Sequence, residues 1–396
     1  MESVGVYISV PFCKAKCSFC NFASDVFGAG RMEGYVARLV EEIREARVRA
    51  ARMGAVLPER VDTVYFGGGT PSLLEPKMMK EIFAALRGEF VVDAGAEITL
   101  ECAPGQLADA TLAELLGQGL NRVSLGVQSF VDAEAAAVGR LHTLAMCLGE
   151  MERLRAAGVL DLGVDLIAGL PLQTESSWRY SIAEAVGTGS AHVSVYMLEV
   201  DGESRLGRES LAGGTRYGAG ALPADEAVAD WYLEACAALG SAGVMQYEIS
   251  NFARQGFRSR HNVKYWRREA YVGFGLDAHS MLRMEDGVVR FQNGDELDGY
   301  MGGGVLPLLG ARVEPVFVRG DEAFEEAVFL GLRMNEGVSL AGLRREFGLG
   351  LVSGLTDALV ELVEAGLVGM EGERVWLTGR GRLLSNEVFE RVLVAA

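Results

Sequence analysis

The chain has 396 residues, 49% of them hydrophobic, so it can bury a large core and is not expected to be disordered. Its formal net charge is −17 and its pI is near 4.8, which disfavours binding to nucleic acid or anionic lipid through a global field. The sequence has no uncharged apolar run of about 18 residues and no secretory leader at its start, so we expect a cytoplasmic protein.

Short β-rich runs alternate with segments of helical spacing from the start to about residue 245, and this alternation predicts a βα repeat. The first helix, predicted over 31–53, carries charged residues between apolar positions, as an outer helix does. Parallel strands joined by right-handed crossovers form a partial (β/α)6 barrel, whose active site is expected at the carboxyl ends of the strands. The predicted strands are 5–10, 61–66, 97–102, 122–128, 163–167 and 192–198.

The region after the predicted barrel has a different character. A glycine-rich stretch, 206–223, is predicted to be a surface excursion before a helix at 224–242. Three helices, a strand pair with a glycine-containing turn and a last helix then resemble a winged-helix arrangement. These elements are predicted at 323–334, 339–347, 355–365, 367–377 and from residue 380.

We therefore predict an α/β protein with three parts. Residues 1–245 form the partial barrel, 246–315 a linking segment, and 316–396 a helical, winged-helix-like domain. Winged helices often bind DNA, but this segment is not notably basic. A packing or docking role is favoured, and no nucleic-acid partner is expected.

Six cysteines are too few for a disulfide scaffold in a chain of this length. Three of them, Cys13, Cys17 and Cys20, lie within eight residues directly after the first predicted strand. The other three lie in apolar surroundings, where a free thiol acts as a small hydrophobe: Cys102, Cys147 and Cys236.

The cysteine-rich segment is the strongest chemical signal in the chain. Thiolates are the usual ligands of iron-sulfur clusters, and three ligands leave one iron of a 4Fe-4S cluster open to an outside ligand. A structural zinc site would need a fourth Cys or His at a second locus. None of the four histidines lies in a partner motif of that kind: His142, His192, His261 and His279.

The C-x3-C-x2-C spacing, followed by an aromatic residue, resembles the radical S-adenosylmethionine (SAM) superfamily, in which the amino and carboxylate groups of SAM bind the open iron. The resemblance implies that Glu101 binds the ribose and that Arg140 pairs with the SAM carboxylate. It also implies SAM contacts from residues at or near the other strand ends: Tyr7, Phe19, Gly68, Gly69, Thr70, Gln128 and Asp165. Singly, these residues also suit a tight turn or ion-paired rim charges, but their coincidence at successive strand ends favours a SAM site.

Longer segments resemble the family of oxygen-independent coproporphyrinogen III oxidase, which includes heme chaperones, over nearly the whole chain. These segments are VYISVPF at 6–12, GRLHT at 139–143, DLIAGLP at 165–171 and YEISNFA at 247–253. Three features favour the chaperone branch. The oxidase typically has a fourth cysteine where this chain has Phe22, and it has an extension before the cluster where only twelve residues precede Cys13. The third feature is the segment at 261–266, which matches the HNxxYW signature of the heme chaperones.

The HNxxYW motif implies a heme site in which His261 ligates the iron while Tyr265 and Trp266 offer apolar stacking surface. The alternative is a packed turn with no ligand, and His279 is a competing heme ligand. The family commonly has glycine with proline or alanine where this chain has Leu276-Asp277, so the shape of that loop and the role of His279 stay open.

The resemblance implies a heme chaperone that carries a 4Fe-4S cluster and SAM and delivers heme to apo-hemoproteins, such as respiratory enzymes. Whether SAM is cleaved to a radical stays open, and so does the heme ligand. The resemblance is compatible with a homodimer and with peripheral membrane contact through an acceptor. One alternative is radical decarboxylation of a porphyrinogen propionate, and another is a nucleic-acid-binding regulator, which the acidic balance disfavours.

Overall fold

The computed structural model describes residues 2–302 and 314–395. Its strands, in chain order, are β1 Ser3–Val10, β2 Arg60–Gly68, β3 Val91–Cys102, β4 Arg122–Gln128, β5 Asp161–Ala168, β6 His192–Met197, β7 Met245–Gln246, β8 Asn251–Ala253, β9 Tyr271–Phe274, β10 His279–Met284, β11 Gly287–Gln292, β12 Val316–Val318, β13 Val338–Ser339, β14 Val368–Glu371 and β15 Arg374–Leu377.

The helices surround these strands and are numbered in the same way. They are α1 Met32–Arg44, α2 Ala46–Arg52, α3 Pro76–Glu89, α4 Asp109–Gly117, α5 Asp132–Ala137, α6 Leu144–Ala156, α7 Glu175–Gly187, α8 Arg205–Leu211, α9 Asp225–Ser241, α10 Arg260–Trp266, α11 Leu297–Gly302, α12 Gly320–Arg333, α13 Leu340–Phe347, α14 Leu349–Glu364, α15 Gly379–Leu383 and α16 Ser385–Ala395. In the ranges that the structure describes, none of the helices is long and apolar enough to cross a membrane.

A single large sheet forms the centre of the molecule, with the strand order β12-β11-β10-β9-β1-β2-β3-β4-β5-β6-β8-β7. Strands β1 to β6 run parallel in sequence order, and β9 lies parallel to β1 on its other side. The α/β prediction is confirmed, and each of the six predicted strands is present. Within the described residues the two outermost strands do not pair with each other, so the sheet is open.

The parallel strands carry nearly continuous apolar runs because both faces of the sheet are covered. In β1, Val4, Val6, Ile8 and Val10 have no exposed surface. Helices such as α1 and α3 pack on the outer side and contribute to the same core. This covered sheet fixes where each strand ends, and therefore where the loops at the carboxyl ends meet.

The segment 246–315 extends the sheet at both ends. Strand β8 pairs with β6, whereas β9, β10 and β11 continue the sheet beyond β1. These strands are between three and six residues long. Runs this short carry little periodicity, so the sequence does not show where they pair.

The carboxyl-terminal part has its own small sheet, ordered β13-β15-β14, with α12, α13 and α14 packed beside it. A second apolar core lies here and includes Phe324, Leu355 and Leu362. These three side chains have no exposed surface. The order of elements agrees with the winged-helix-like prediction. Helix α14 begins earlier than the predicted start at residue 355.

Candidate functional site

A cavity of about 330 Å³ lies at the carboxyl ends of the parallel strands. We call it the cysteine cavity, because the three clustered cysteines line it. It brings together nearly all of the residues that the sequence predicted for the cluster and for SAM: Cys13, Cys17, Cys20, Phe19, Gly68, Gly69, Thr70, Glu101, Gln128, Arg140 and Asp165. Residues from six separate segments therefore meet as the barrel resemblance implied.

The cysteine loop is held by backbone hydrogen bonds and by contacts to its sulfur atoms. The Cys13 N–H donates to the Asp25 carbonyl at 3.0 Å, and the Arg140 Nη1 lies 3.5 Å from the Cys17 Sγ. In the part of the chain that the structure describes, no three Cys, His, Asp or Glu side chains converge on one metal position. Each thiolate of a 4Fe-4S cube binds a different iron, so a cluster does not require the three sulfur atoms to meet at one metal position.

Burial raises the pKa of the Cys13 thiol, although hydrogen bonds from Thr70 and Ser24 oppose this effect. An isolated thiol there would stay protonated, since the buried thiolate lacks water to solvate its charge. A bound metal cation supplies the missing stabilisation and removes the proton. The donor set therefore fits an iron-sulfur cluster.

The glycines after β2 allow the strand end to approach the cysteine loop. A Cβ on Gly69 would lie 2.9 Å from the carbonyl oxygens of Val10 and Phe12 and 3.0 Å from the Cys13 Sγ. Gly68 has φ +101°, in the region that favours glycine. The glycine stretch is thus required for the close packing of β2 against the loop, in addition to any contact with a ligand.

Two carboxylates face the cavity from neighbouring strand regions. Glu101 accepts a hydrogen bond from the Tyr65 hydroxyl at 2.9 Å, and Asp165 accepts one from the Ser124 hydroxyl at 3.1 Å. Burial, followed by repulsion from Asp165, raises the pKa of Glu101 to about 7. Both groups can accept further hydrogen bonds, which is the chemistry that ribose hydroxyls require.

Arg140 lies beside these groups with part of its guanidinium unpaired. Its Nη2 donates to the Gly126 carbonyl, whereas its buried Nε has no acceptor among the described residues. A buried, unpaired N–H of a guanidinium is suited to a carboxylate ligand. Gln128, on the same rim, has φ 66°, which is uncommon for its residue type and is the kind of strain found at functional sites.

A second cavity, of about 440 Å³, adjoins the first and shares Phe22 and Gly68 with it. We call it the aromatic cavity. It is bounded by the cysteine loop, α10, the strands β9 to β11 and α12. Its lining is Tyr7, Ser9, Phe22, Ala23, Gly68, Tyr265, Trp266, Tyr271, Leu276, Asp277, His279, Arg290 and Leu330.

The structure separates two of the predicted site residues from their expected surroundings. Tyr7, predicted at the SAM site, lines the aromatic cavity. Its hydroxyl still lies close to the SAM residues, because a Cβ added at Gly67 would be 2.9 Å from the Tyr7 hydroxyl and 3.1 Å from the Glu101 carboxyl carbon. His261 does not line either cavity and is 1% exposed. It belongs to the packed interior, whereas Tyr265 and Trp266 of the same motif reach the aromatic cavity.

Both ring nitrogens of His261 are occupied. Its Nδ1 lies 2.8 Å from the Thr63 hydroxyl, and its Nε2 lies 2.8 Å from the Tyr265 hydroxyl. Burial, and then the charge of Lys264, lowers the pKa of His261 to about 3. A metal ligand needs a ring nitrogen with a free lone pair, and His261 offers one only if this network breaks.

His279 follows a loop whose backbone is held by two buried side chains of α1. The buried Glu42 carboxylate accepts from the Gly275 N–H at 2.9 Å, and the Tyr35 hydroxyl accepts from the Leu276 N–H at 2.9 Å. Asp277 has φ 57°, a left-handed conformation that aspartate tolerates better than most residues. No local pattern in the sequence marks Glu42 or Tyr35, because both lie in an ordinary amphipathic helix more than two hundred positions from the loop.

Residues 7–185 match the radical SAM superfamily, and residues 318–384 match the HemN C-terminal domain. The heme chaperone HemW of Bacillus subtilis (strain 168) is 31% identical over 388 residues, which cover 97% of this chain and 97% of the relative. The heme chaperone HemW of Mycobacterium tuberculosis (strain ATCC 25618 / H37Rv) is 32% identical over 397 residues, covering 99% and 95%.

A solved structure has the same fold. Coproporphyrinogen III oxidase (HemN) from Escherichia coli, described as a radical SAM enzyme, superposes with a TM-score of 0.81 at 23% identity. The match covers 100% of this chain and 91% of that chain. It supports the partial barrel with a carboxyl-terminal helical domain.

Proposed function

Because this chain belongs to the HemW family of radical SAM proteins, we propose that it is a heme chaperone, which binds heme and passes it to apo-hemoproteins. The observation that carries the proposal is the aromatic cavity, where Tyr265, Trp266 and His279 lie together. Aromatic faces suit a flat macrocycle, and an imidazole ligates heme iron.

Membership of the radical SAM superfamily implies a 4Fe-4S cluster and SAM. We propose that Cys13, Cys17 and Cys20 hold the cluster, supported by their shared position on the cysteine cavity. When bound, the cluster supplies one-electron reduction of the SAM sulfonium. The proposed SAM contacts are those predicted from the sequence: Tyr7, Phe19, Gly68, Gly69, Thr70, Glu101, Gln128, Arg140 and Asp165.

The chain's own residues have distinct roles towards SAM. Arg140 pairs with the SAM carboxylate through its unpaired Nε, and Glu101 accepts hydrogen bonds from the ribose hydroxyls. The glycines at 68 and 69 let the backbone approach the methionine amino group. These roles hold whether the radical reaction is retained or SAM serves only as a bound ligand.

We propose His279 as the heme ligand in place of His261. His279 lines the aromatic cavity, whereas each ring nitrogen of His261 is already hydrogen-bonded. In this proposal His261 orients Tyr265 through the 2.8 Å contact to its hydroxyl, and so shapes the cavity wall. The HNxxYW motif then builds the site without donating the metal ligand.

The proposed partners are heme and the apo-hemoproteins that accept it, with respiratory enzymes as the expected class. A cytoplasmic setting is supported by the six unpaired cysteines, since thiols stay reduced there. Homodimerisation and peripheral contact with a membrane-bound acceptor are compatible with this role. The exposed Phe22 and Val26 beside the cysteine loop offer apolar surface for such contacts.

The test is an anaerobic titration of the reconstituted protein with heme, followed by its Soret band. We expect the His279→Ala variant to lose the spectrum of imidazole-ligated heme, and the His261→Ala variant to keep it while unfolding more easily. If His261→Ala alone removes the ligated spectrum, the ligand assignment reverses. If the wild type binds no heme but decarboxylates coproporphyrinogen in the presence of SAM, the chain is an oxidase and the chaperone proposal fails.

A further inference from the structure

Arg290 on β11 lines the aromatic cavity. Among the described residues of that lining it is the one lysine or arginine, and Asp277 is the one carboxylate. The rest of the wall is largely aromatic or aliphatic. A guanidinium in such a setting attracts an anionic group strongly, because the apolar surroundings screen its charge less than water does.

The strand register sets Arg290 beside His279. His279 of β10 pairs with Gln292 of β11, and Met281 pairs with Arg290. Residues two apart in a strand point to the same face, so His279 and Arg290 lie on one face as diagonal neighbours. Residues at diagonal positions on two paired strands are about 7 to 8 Å apart. The arrangement suits a ligand that carries a metal at its centre and an acid group at its edge.

Contacts from two neighbours fix the guanidinium. Its Nε donates to Glu326 at 2.6 Å, and its Nη1 donates to the Tyr271 hydroxyl at 3.1 Å. The other oxygen of Glu326 accepts from the Arg268 Nε at 3.1 Å, and Arg268 also donates to Glu346 at 3.0 Å. Within the described ranges the Arg290 Nη2 donates to no protein acceptor.

We propose that Arg290 binds a propionate carboxylate of the heme, which makes the aromatic cavity selective for tetrapyrroles with free acid groups. The inference rests on the proposed function and adds the chemical feature that the site recognises. Arginine pairs with carboxylates through short, charge-assisted hydrogen bonds. Asp277, which accepts a hydrogen bond from Gln292 of β11 at 3.2 Å, repels an ionised propionate, so the proposal places the acid group at Arg290 and away from Asp277.

The test compares hemin with hemin dimethyl ester, in which both propionates are methylated. Each is titrated against the full-length wild type, Arg290→Gln and Arg290→Lys. The matched control is Arg319→Gln, because Arg319 is 49% exposed, pairs with Asp286 and is absent from the cavity lining. We expect Arg290→Gln to weaken hemin binding about tenfold to a hundredfold, as for a lost charged hydrogen bond, without changing affinity for the ester.

Arg290→Lys retains the charge and is expected to lose less affinity for hemin than Arg290→Gln, while Arg319→Gln behaves as the wild type. If Arg290→Gln weakens hemin and the ester equally, Arg290 only supports the cavity wall, and the inference is wrong. Unchanged hemin affinity in Arg290→Gln also overturns it and leaves the chaperone proposal standing. A wild type that binds neither ligand overturns both.

Discussion

Glu101 is a buried carboxyl group whose pKa is raised to about 7 from the usual 4.5. Desolvation disfavours its charged form, and the nearby Asp165 adds repulsion, while the Tyr65 hydroxyl partly offsets both effects. The folded chain therefore keeps a proton at Glu101 over a range of pH in which the unfolded chain has released it. Its contribution to stability is full below about pH 4.5 and is lost as the pH rises through about 7.

We expect the free energy of unfolding of cluster-free wild type to fall by about 2 kcal/mol more than that of Glu101→Gln between pH 5 and pH 8. Glutamine cannot ionise, so the variant does not lose stability through release of a proton at position 101 as the pH rises. Anaerobic urea denaturation at several pH values measures the difference. Parallel curves for the two proteins would show that Glu101 titrates normally.

At the residue scale, the sequence predicted most of the cysteine cavity and less of the aromatic cavity. Glu101 lies one residue before the end of β3, and Asp165 lies three residues before the end of β5, so the fold class places both near the same edge of the sheet. The choice between His261 and His279 depends on which ring nitrogens are already bonded. Those bonds come from Thr63 and Tyr265 after folding, and no local pattern encodes them.

The end of β2 is the element that joins the sheet to the cysteine loop. The Gly69 N–H donates to the Val10 carbonyl at 2.8 Å, and the Thr70 N–H donates to the Phe12 carbonyl at 2.8 Å. A side chain at position 69 would press on these same backbone oxygens, which cannot rotate away as a side chain could. The position of Cys13 therefore depends on the absence of a Cβ at this strand end.

Gly69→Ala is expected to destabilise the chain by about 1 to 3 kcal/mol, as overpacking does, and to lower the iron and sulfide bound per chain. Gly88→Ala is the matched control, since a Cβ there meets nothing within 4 Å on the surface of α3. It should retain full cluster content. Equal iron content in the two variants would mean that the loop adjusts to the added methyl group.

The elements of the barrel were more predictable than those after it. Apolar runs mark β1 to β6, but Gly350 and Gly354 interrupt the helical pattern at the start of α14, which delayed its predicted start. Packing of Val352 and Leu355 into the second core overrides that weak local preference. The predicted helix over 31–53 is divided between α1 and α2 at Glu45.

At the scale of the whole molecule, Glu326 of α12 connects the carboxyl-terminal helices to the central sheet. Its two oxygens accept from Arg268 at 3.1 Å and from Arg290 of β11 at 2.6 Å. The glutamate is 14% exposed and Arg268 is 9% exposed, so this contact is mostly shielded from water. Loss of the carboxylate leaves two arginines without their shared partner.

We expect Glu326→Gln to lower the free energy of unfolding by about 2 kcal/mol. This is less than the loss expected on breaking a fully buried ion pair, because the Arg290 side chain is 31% exposed to water. Glu322→Gln, at an exposed position on the same helix, should change it by less than about 0.5 kcal/mol. Urea denaturation with limited proteolysis checks both. Identical stabilities for the two variants would show that α12 is held by apolar contacts alone.

The neighbour of β1 on one side comes from far along the chain. Strand β1 ends at Val10, whereas β9, its parallel partner, begins at Tyr271. At translation rates of about 5 to 20 residues per second, β9 leaves the ribosome roughly 10 to 50 s after β1. After β2 has paired with it, and until β9 is made, β1 remains an apolar strand with one unpaired edge next to the cysteine loop. Successful biogenesis therefore depends on protecting this edge until the second half of the protein has been synthesised.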